Sequence, residues 1–179
     1  TCYSENLYVD YFFGKEASAE YVIGTRRGIS NRKSIIGQYD INREGSGDMY
    51  SKGANLLHTL RQLAKDDEIW RQTLRGLNKE FYHSTVTTAE IEEYISESIG
   101  MDLSKIFDQY LRDYRVPVFE YEITNGVLMY RWNDVIDGFD MPVEVIIDGE
   151  NKLLNPTTEF KYIPIKNLYI NAVSYTHLR

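Results

Sequence analysis

Several absences limit what this 179-residue chain can be. It has a single cysteine, Cys2, so no disulfide can form within it. No apolar run approaches the roughly 20 residues that cross a bilayer. Lysine and arginine form no cluster, and the formal net charge of -7 argues against a nucleic-acid-binding protein. What remains is an acidic chain whose mean hydropathy of -0.44 is typical of a globular fold.

The two ends of the chain carry little information about folding. The chain starts at Thr1 rather than at methionine, so the lack of a visible signal peptide leaves the compartment open. Residues 174–179 read Ser-Tyr-Thr-His-Leu-Arg, which resembles the translation of a sequencing adapter. We therefore expect these six residues to be a non-native tail and exclude them from the predicted fold.

Apolar residues recur at helical spacing through the first two-thirds of the chain, which predicts six helices. Gly14 is expected to end the first helix, and residues 28–47 are expected to be mostly loop. Thr87 and Glu90 have the spacing of a capping box at the start of the fifth helix. The second, third and last helices are predicted at residues 15–27, 48–64 and 103–114, and the fourth begins at the acidic residues 66–68.

After Pro117 the apolar pattern changes to strict alternation, which predicts β-strands. Asn125-Gly126 and Asp148-Gly149 are the residues of two-residue hairpin turns. Further strands are predicted at residues 159–163 and 168–172. The first turn fixes a register that pairs Ile123 with Leu128, Tyr121 with Tyr130, Phe119 with Trp132 and, on the other face, Glu120 with Arg131.

These patterns together predict an α+β protein with a helical part at residues 1–115 and a β part at residues 116–173. The β part contains about five predicted strands, fewer than the roughly seven of a complete immunoglobulin-like sandwich. We therefore expect an incomplete antiparallel β-sandwich.

One run of residues carries a specific resemblance. Asp48-Met49-Tyr50-Ser51-Lys52-Gly53-Ala54 resembles the catalytic-tyrosine segment of the zinc aminopeptidases, the family that includes alanyl aminopeptidase (aminopeptidase N) and leukotriene hydrolase. The match continues in order over nearly all of residues 3–172. The other matching segments are Val86-Thr87-Thr88, Asp102-Leu103-Ser104, residues 107–111, Val116-Pro117 and residues 138–143.

The resemblance implies a fold and an activity for the whole protein of which this chain is part. Residues 1–115 would form the helical C-terminal part of a thermolysin-like catalytic domain, and residues 116–173 would begin the following β-sandwich domain. The protein would remove N-terminal residues from peptide substrates, as the members of the family do.

Zinc is the cofactor that the resemblance implies, but its ligands are missing from this sequence. In the family, two histidines of an HExxH helix and a glutamate further along bind the metal. No two histidines of this chain are four residues apart, its three being His58, His83 and His177. We therefore expect no metal ligand within the chain, zinc bound by a missing N-terminal half of the same protein, and no activity from the chain alone.

Tyr50 is the catalytic residue that the resemblance assigns to this chain. In the resembling enzymes a tetrahedral intermediate with an oxyanion forms at the peptide carbonyl, and a tyrosine stabilises it. A phenolic hydroxyl suits this role because it is protonated at neutral pH and can donate a preorganised hydrogen bond.

Three further residues are candidates for supporting roles, each with an ordinary alternative. Glu5 matches a family glutamate that would orient a metal ligand, or it is a helix-surface carboxylate. Asp48 is either the N-cap of the third helix, which we favour, or part of the cleft. Lys52 pairs with a nearby acid or lies on a solvated face. Gly53 is expected to let its helix approach a neighbour closely, and His58 to be satisfied by local hydrogen bonds.

A second function from a different class stays open at this point. The chain could be a non-catalytic helical and β module that binds a partner. Under the peptidase hypothesis, the chain would instead expose a large apolar patch that normally packs against the missing half and is prone to association.

Overall fold

A computed structural model describes residues 2–41, 44–166 and 170–172 of the chain. The predicted tail at residues 174–179 lies outside these described residues. So does part of the last predicted strand, residues 168 and 169.

The first part of the described chain is helical, as predicted. Two short 3-10 turns, Arg26–Gly28 and Gly47–Met49, follow the second helix and precede the third. The last predicted helix is divided, because four α-helical residues lead into a π-helical segment at Asp108–Arg112. The α-helices of the described residues are α1 (Cys2–Phe13), α2 (Lys15–Thr25), α3 (Ser51–Ala64), α4 (Asp67–Glu80), α5 (Thr88–Ile99) and α6 (Ser104–Phe107).

The helices α4 and α5 begin where their sequence signals predict. The Thr87 side chain accepts a hydrogen bond from the Glu90 N–H, and the Glu90 carboxylate accepts one from the Thr87 N–H, which is a complete capping box for α5. Asp66 accepts a hydrogen bond from the N–H of Glu68 and so caps α4. These bonds are local, and the residues that make them are close in sequence.

The second part of the described chain forms two three-stranded antiparallel sheets. One sheet has the order β1-β2-β5 and the other the order β4-β3-β6. Side chains from both sheets belong to one buried cluster, as in a sandwich. The strands are β1 (Val118–Thr124), β2 (Val127–Asn133), β3 (Val143–Ile147), β4 (Glu150–Leu154), β5 (Lys161–Pro164) and β6 (Ile170–Ala172).

Both hairpins lie where the turn residues predict them, and the first has the predicted register. Asn125 and Gly126 have φ values of 53° and 75°, the positive values that a type I′ turn requires. The Cα partners of β1 and β2 include all four predicted pairs. The Arg131 guanidinium donates to the Glu120 carboxylate at 2.7 Å, so the charged pair forms as expected.

The helices and the sheets share one hydrophobic core. In the helical part, the Trp70 ring nitrogen donates to the Tyr3 hydroxyl at 2.8 Å, which joins α4 to α1. In the β part, Trp132 packs against Phe139 and donates to the carbonyl of Met141. The chain is therefore an α+β protein with a continuous core, as the sequence predicts for its class. The division into two domains at residue 115 stays a prediction.

One buried glutamine ties the helices to the first strand region. Gln109 is 0% exposed; its amide donates to the carbonyl of Arg115 at 2.9 Å and accepts from the N–H of Ile136 at 2.7 Å. Both partners are main-chain groups, and Gln109 supplies the hydrogen bonds that water cannot supply in the core. None of the helices in the described residues is both long enough and apolar enough to cross a membrane.

We expect Gln109→Leu to destabilise the fold by about 2–5 kcal/mol, because it leaves two buried main-chain groups without partners. The measurement is the urea midpoint followed by circular dichroism. Gln72→Leu is the matched control, because Gln72 is exposed and bonds only a neighbour on its own helix. Its change should stay within about 0.5 kcal/mol. Equal losses in the two variants would contradict the role given to Gln109.

Candidate functional site

Tyr50 lies at the junction between the 3-10 turn Gly47–Met49 and α3. Its backbone is in the helical region, with φ -75° and ψ -71°, and its side chain is 61% exposed. Within the described residues its hydroxyl has no hydrogen-bond partner. The structure thus presents a free phenolic donor at the start of the most buried helix.

A cleft of about 420 Å³ begins beside Tyr50. It runs between α1, α3, α5 and the end of α6, and Glu92 is the one acidic side chain along it among the described residues. Most of the remaining lining is apolar, a composition that suits an apolar group of a ligand. The residues that line it are Cys2, Tyr3, Met49, Tyr50, Gly53, Ala54, Leu56, Leu57, Thr88, Ile91, Glu92, Ile95, Phe107 and Leu111.

Asp48 is buried and holds the turn that carries Tyr50. Its carboxylate accepts hydrogen bonds from the N–H of Ser30 at 2.9 Å, the N–H of Asn31 at 2.8 Å and the Ser30 hydroxyl at 3.1 Å. Burial, the largest influence, would raise the pKa of Asp48. The bonds from Ser30 and Asn31 and the charge of Lys52 together outweigh burial, so the pKa is lowered and the carboxylate stays charged.

The expectation that Asp48 caps the third helix is therefore wrong. Tyr50 occupies the N-cap position of α3, and Ser46 caps the 3-10 turn by accepting from the N–H of Asp48 at 3.2 Å. The physical reason is that a loop 17 residues earlier brings three donors to the carboxylate. Nothing in the spacing of Ser30 and Asn31 indicates this contact, so sequence reasoning missed both residues.

Lys52 is buried, which excludes the solvated face that was one of its two alternatives. Its ammonium donates to the main-chain carbonyl of Asp113 at 3.1 Å, rather than to a carboxylate. Burial lowers the pKa of Lys52, and the charges of Asp48 and Asp113 oppose that effect. Lys52 thus joins α3 to the segment that leads into β1.

Glu5 lies on the surface of α1, and its carboxylate accepts from the Tyr21 hydroxyl at 2.5 Å. The structure therefore places it against α2. Whether it also orients a metal ligand stays a prediction.

The expectation for Gly53 is wrong. A Cβ at this position would have no atom within 4 Å, so no neighbour approaches the helix there. Gly76 makes the close approach instead, because a Cβ there would overlap the Tyr94 hydroxyl of α5. Gly53 lies in the wall of the cleft beside Tyr50.

The expectation for His58 is also wrong. It is 6% exposed, and neither ring nitrogen has a partner among the described residues. Burial lowers the pKa of His58 to about 4; the charges of Arg61 and Arg26 add to this, and Asp10 opposes it. His58 is therefore neutral at pH 7. It lines a separate polar pocket of about 650 Å³ at the other end of α3.

The described residues contain no group of three or more His, Cys, Asp and Glu side chains placed to hold a metal ion. The residues near Tyr50 therefore do not fit a zinc site by themselves.

Comparison with solved structures finds this arrangement of helices and sheets within a peptidase. That protein is Legionella pneumophila aminopeptidase A, solved in complex with aspartic acid. The TM-score is 0.65 at 15% sequence identity, and the match covers 99% of this chain and 23% of that one. The likeness shows the fold. No family model and no curated protein matches the sequence.

We expect Asp48→Ala to destabilise the chain by about 2–4 kcal/mol, because three donors lose a charged acceptor. Urea unfolding measures the loss, and faster hydrogen exchange at the amides of Ser30 and Asn31 locates it. Asp137→Ala, at an exposed position, should change stability by less than about 0.5 kcal/mol. Unchanged exchange at Ser30 and Asn31 would show that Asp48 does not hold this loop.

His58 should make the stability of the chain depend on pH. Its pKa in the folded state, about 4, lies below the unfolded value of about 6.5. Stability is therefore complete above about pH 6.5 and decreases as the pH falls towards 4, because the unfolded state takes the proton first. The total loss should be about 3 kcal/mol.

The measurement is urea unfolding of the wild type and His58→Gln between pH 7 and pH 4.5. Their difference in stability should change steadily with pH, because glutamine does not titrate. His83→Gln, at an exposed histidine, should follow the wild type. Parallel curves for the wild type and His58→Gln would contradict the prediction.

Proposed function

We propose that this chain is part of a zinc-dependent aminopeptidase and that Tyr50 donates a hydrogen bond to the oxyanion formed at the scissile carbonyl. The observation that carries the proposal is the unpaired, exposed Tyr50 hydroxyl beside an apolar cleft. The aminopeptidase found among solved structures supports it at the level of the fold.

Preorganisation is the physical argument for this role. An oxyanion donor is effective when it is already in place, so that the reaction does not have to reorganise it. Asp48 fixes the turn before Tyr50 through three donors of another loop, and Lys52 fixes the helix after it. The backbone on both sides of Tyr50 is thus held by buried polar bonds, while the side chain remains free for a ligand.

In this proposal the zinc ligands and Tyr50 come from different parts of the protein. They do not form a metal site, so in this proposal zinc is held by residues outside them. Residues 1–115 contribute the Tyr50 side of the cleft, and residues 116–173 begin a β domain. The 179-residue chain alone should then bind no zinc tightly and hydrolyse nothing. Stoichiometric zinc in the purified chain would contradict this.

The direct test is Tyr50→Phe in the full-length protein encoded at the locus. Loss of one oxyanion donor should lower kcat by about 10²–10³-fold, while KM for the peptide and zinc content stay unchanged. Tyr162→Phe, which removes the hydroxyl of another exposed tyrosine, should leave kcat unchanged. A Tyr50→Phe variant with wild-type turnover would remove the assignment.

The second candidate function is a non-catalytic module that binds a partner. A group of exposed aromatic side chains on α1 favours it, because such groups are typical of interaction surfaces. The coding sequence upstream of Thr1 discriminates between the two. An HExxH helix followed by an Asn-Glu-Gly-like segment supports the peptidase, whereas a start codon supports the module.

A further inference from the structure

One wall of the cleft beside Tyr50 is a single face of α3. Tyr50, Gly53, Ala54 and Leu57 follow one another at intervals of three, one and three residues, and all four line the cleft. Residues three and four apart are neighbours on a helix surface, so these four form one stripe. A group that enters the cleft therefore lies beside the residue that we propose as the oxyanion donor.

Small residues in this wall leave room for a ligand group. Gly53 has no side chain, and a Cβ placed there would have no atom within 4 Å. Ala54 adds only one methyl group. An apolar cavity of about 150 Å³ is large enough to bind benzene. The cleft, at about 420 Å³, can therefore hold an aromatic ring or a branched aliphatic side chain.

The most buried part of the lining offers carbon surface. Tyr3, Leu56, Ile95 and Phe107 line the cleft and are each at most 6% exposed. The Tyr3 hydroxyl already accepts a hydrogen bond from the ring nitrogen of Trp70. An apolar group that enters the cleft would leave water for this surface, which is favourable.

The charges along the cleft disfavour an ionised ligand group. No lysine, arginine or histidine is among the described residues that line it, and Glu92 contributes the one carboxylate. That carboxylate pairs with Arg112 at 2.9 Å. An acidic side chain would thus meet a like charge and no cation, and a basic one would meet a carboxylate that is already paired. Burying a charge without a partner is costly.

We propose that the cleft binds a large apolar side chain at the N-terminus of the peptide substrate. The inference rests on the proposed function of Tyr50. An aminopeptidase attacks the carbonyl of the N-terminal residue, so the oxyanion that Tyr50 would stabilise forms two bonds from the Cβ of that residue. The side chain of the same residue therefore falls beside Tyr50, where the cleft begins. The full-length protein then prefers N-terminal phenylalanine, leucine or methionine to aspartate, glutamate or lysine.

The test uses the full-length protein and aminoacyl-coumarin amides that differ only in the amino acid. We expect kcat/KM for the phenylalanyl and leucyl substrates to be at least about 10-fold higher than for the alanyl substrate. It should be at least about 100-fold higher than for the aspartyl substrate, whose charge would be buried without a partner. An aspartyl substrate that is cleaved as fast as the leucyl one would overturn the proposal.

Two variants of Gly53 locate the preference in this cleft. Gly53→Leu fills the space beside the helix, so the ratio of kcat/KM for phenylalanyl over alanyl substrate should fall at least about 10-fold. Gly53→Arg adds a cation, so the ratio for aspartyl over leucyl substrate should rise at least about 10-fold. Gly24→Leu is the matched control, because Gly24 is also a helical glycine with no atom within 4 Å of a Cβ and lies outside the cleft. It should change neither ratio.

Binding of free amino acids gives a readout that needs no turnover. Isothermal titration of the full-length protein should show that L-phenylalanine binds more tightly than L-aspartic acid, and that Gly53→Leu weakens L-phenylalanine at least about 10-fold. A protein that hydrolyses no peptide but binds L-phenylalanine in this way would refute the peptidase function and support the apolar occupant.

The opposite results would refute the occupant alone. If Tyr50→Phe abolishes turnover while Gly53→Leu changes neither the substrate ratio nor the binding of L-phenylalanine, the proposed function stands and this inference fails. The inference also fails if Gly53→Leu lowers the urea midpoint of the full-length protein while Gly24→Leu does not, because another segment of the polypeptide would then fill the cleft.

Discussion

The fold depends on the burial of α3. This helix packs against α1, α2, α4 and the π-helical segment, so polar side chains on several of its faces lie inside the protein. Two of them, Lys52 and Asn55, find partners in other segments. Lys52 donates to the Asp113 carbonyl, and Asn55 accepts from Arg26 and donates to Thr25. These bonds determine which segments lie around the helix, because a buried polar group without a partner is costly.

The same constraint places the candidate site. Tyr50 comes directly before the first residue of α3, so the contacts that fix the helix also fix the tyrosine. Asp48 completes the arrangement by binding a loop that has no regular secondary structure of its own. The Tyr50 side chain itself is 61% exposed, and its hydroxyl has no hydrogen-bond partner among the described residues. At the other end of α3, His58 shows the opposite case, a buried polar ring without a partner.

Local features of this fold could be predicted from sequence, and long-range polar contacts could not. The β1–β2 register followed from Asn125-Gly126 because a two-residue turn defines every pair after it. The capping box of α5 followed from Thr87 and Glu90 because its partners lie three residues apart. The predictions for Asp48 and His58 were wrong because each assumed a local partner, and the one for Gly53 was wrong because the close approach between helices occurs at Gly76. The assignment of Tyr50 came from resemblance, and its catalytic role stays a prediction.

By itself, the sequence determined the order of helices and strands, the hairpin register and the α+β class, because periodicity and turn chemistry act within a few residues. The tertiary structure alone decided which loop binds Asp48, which carbonyl accepts a hydrogen bond from Lys52 and which aromatic residues of α1 remain exposed. The physical reason is that burial depends on which distant segments pack together, and no spacing in the sequence encodes that directly.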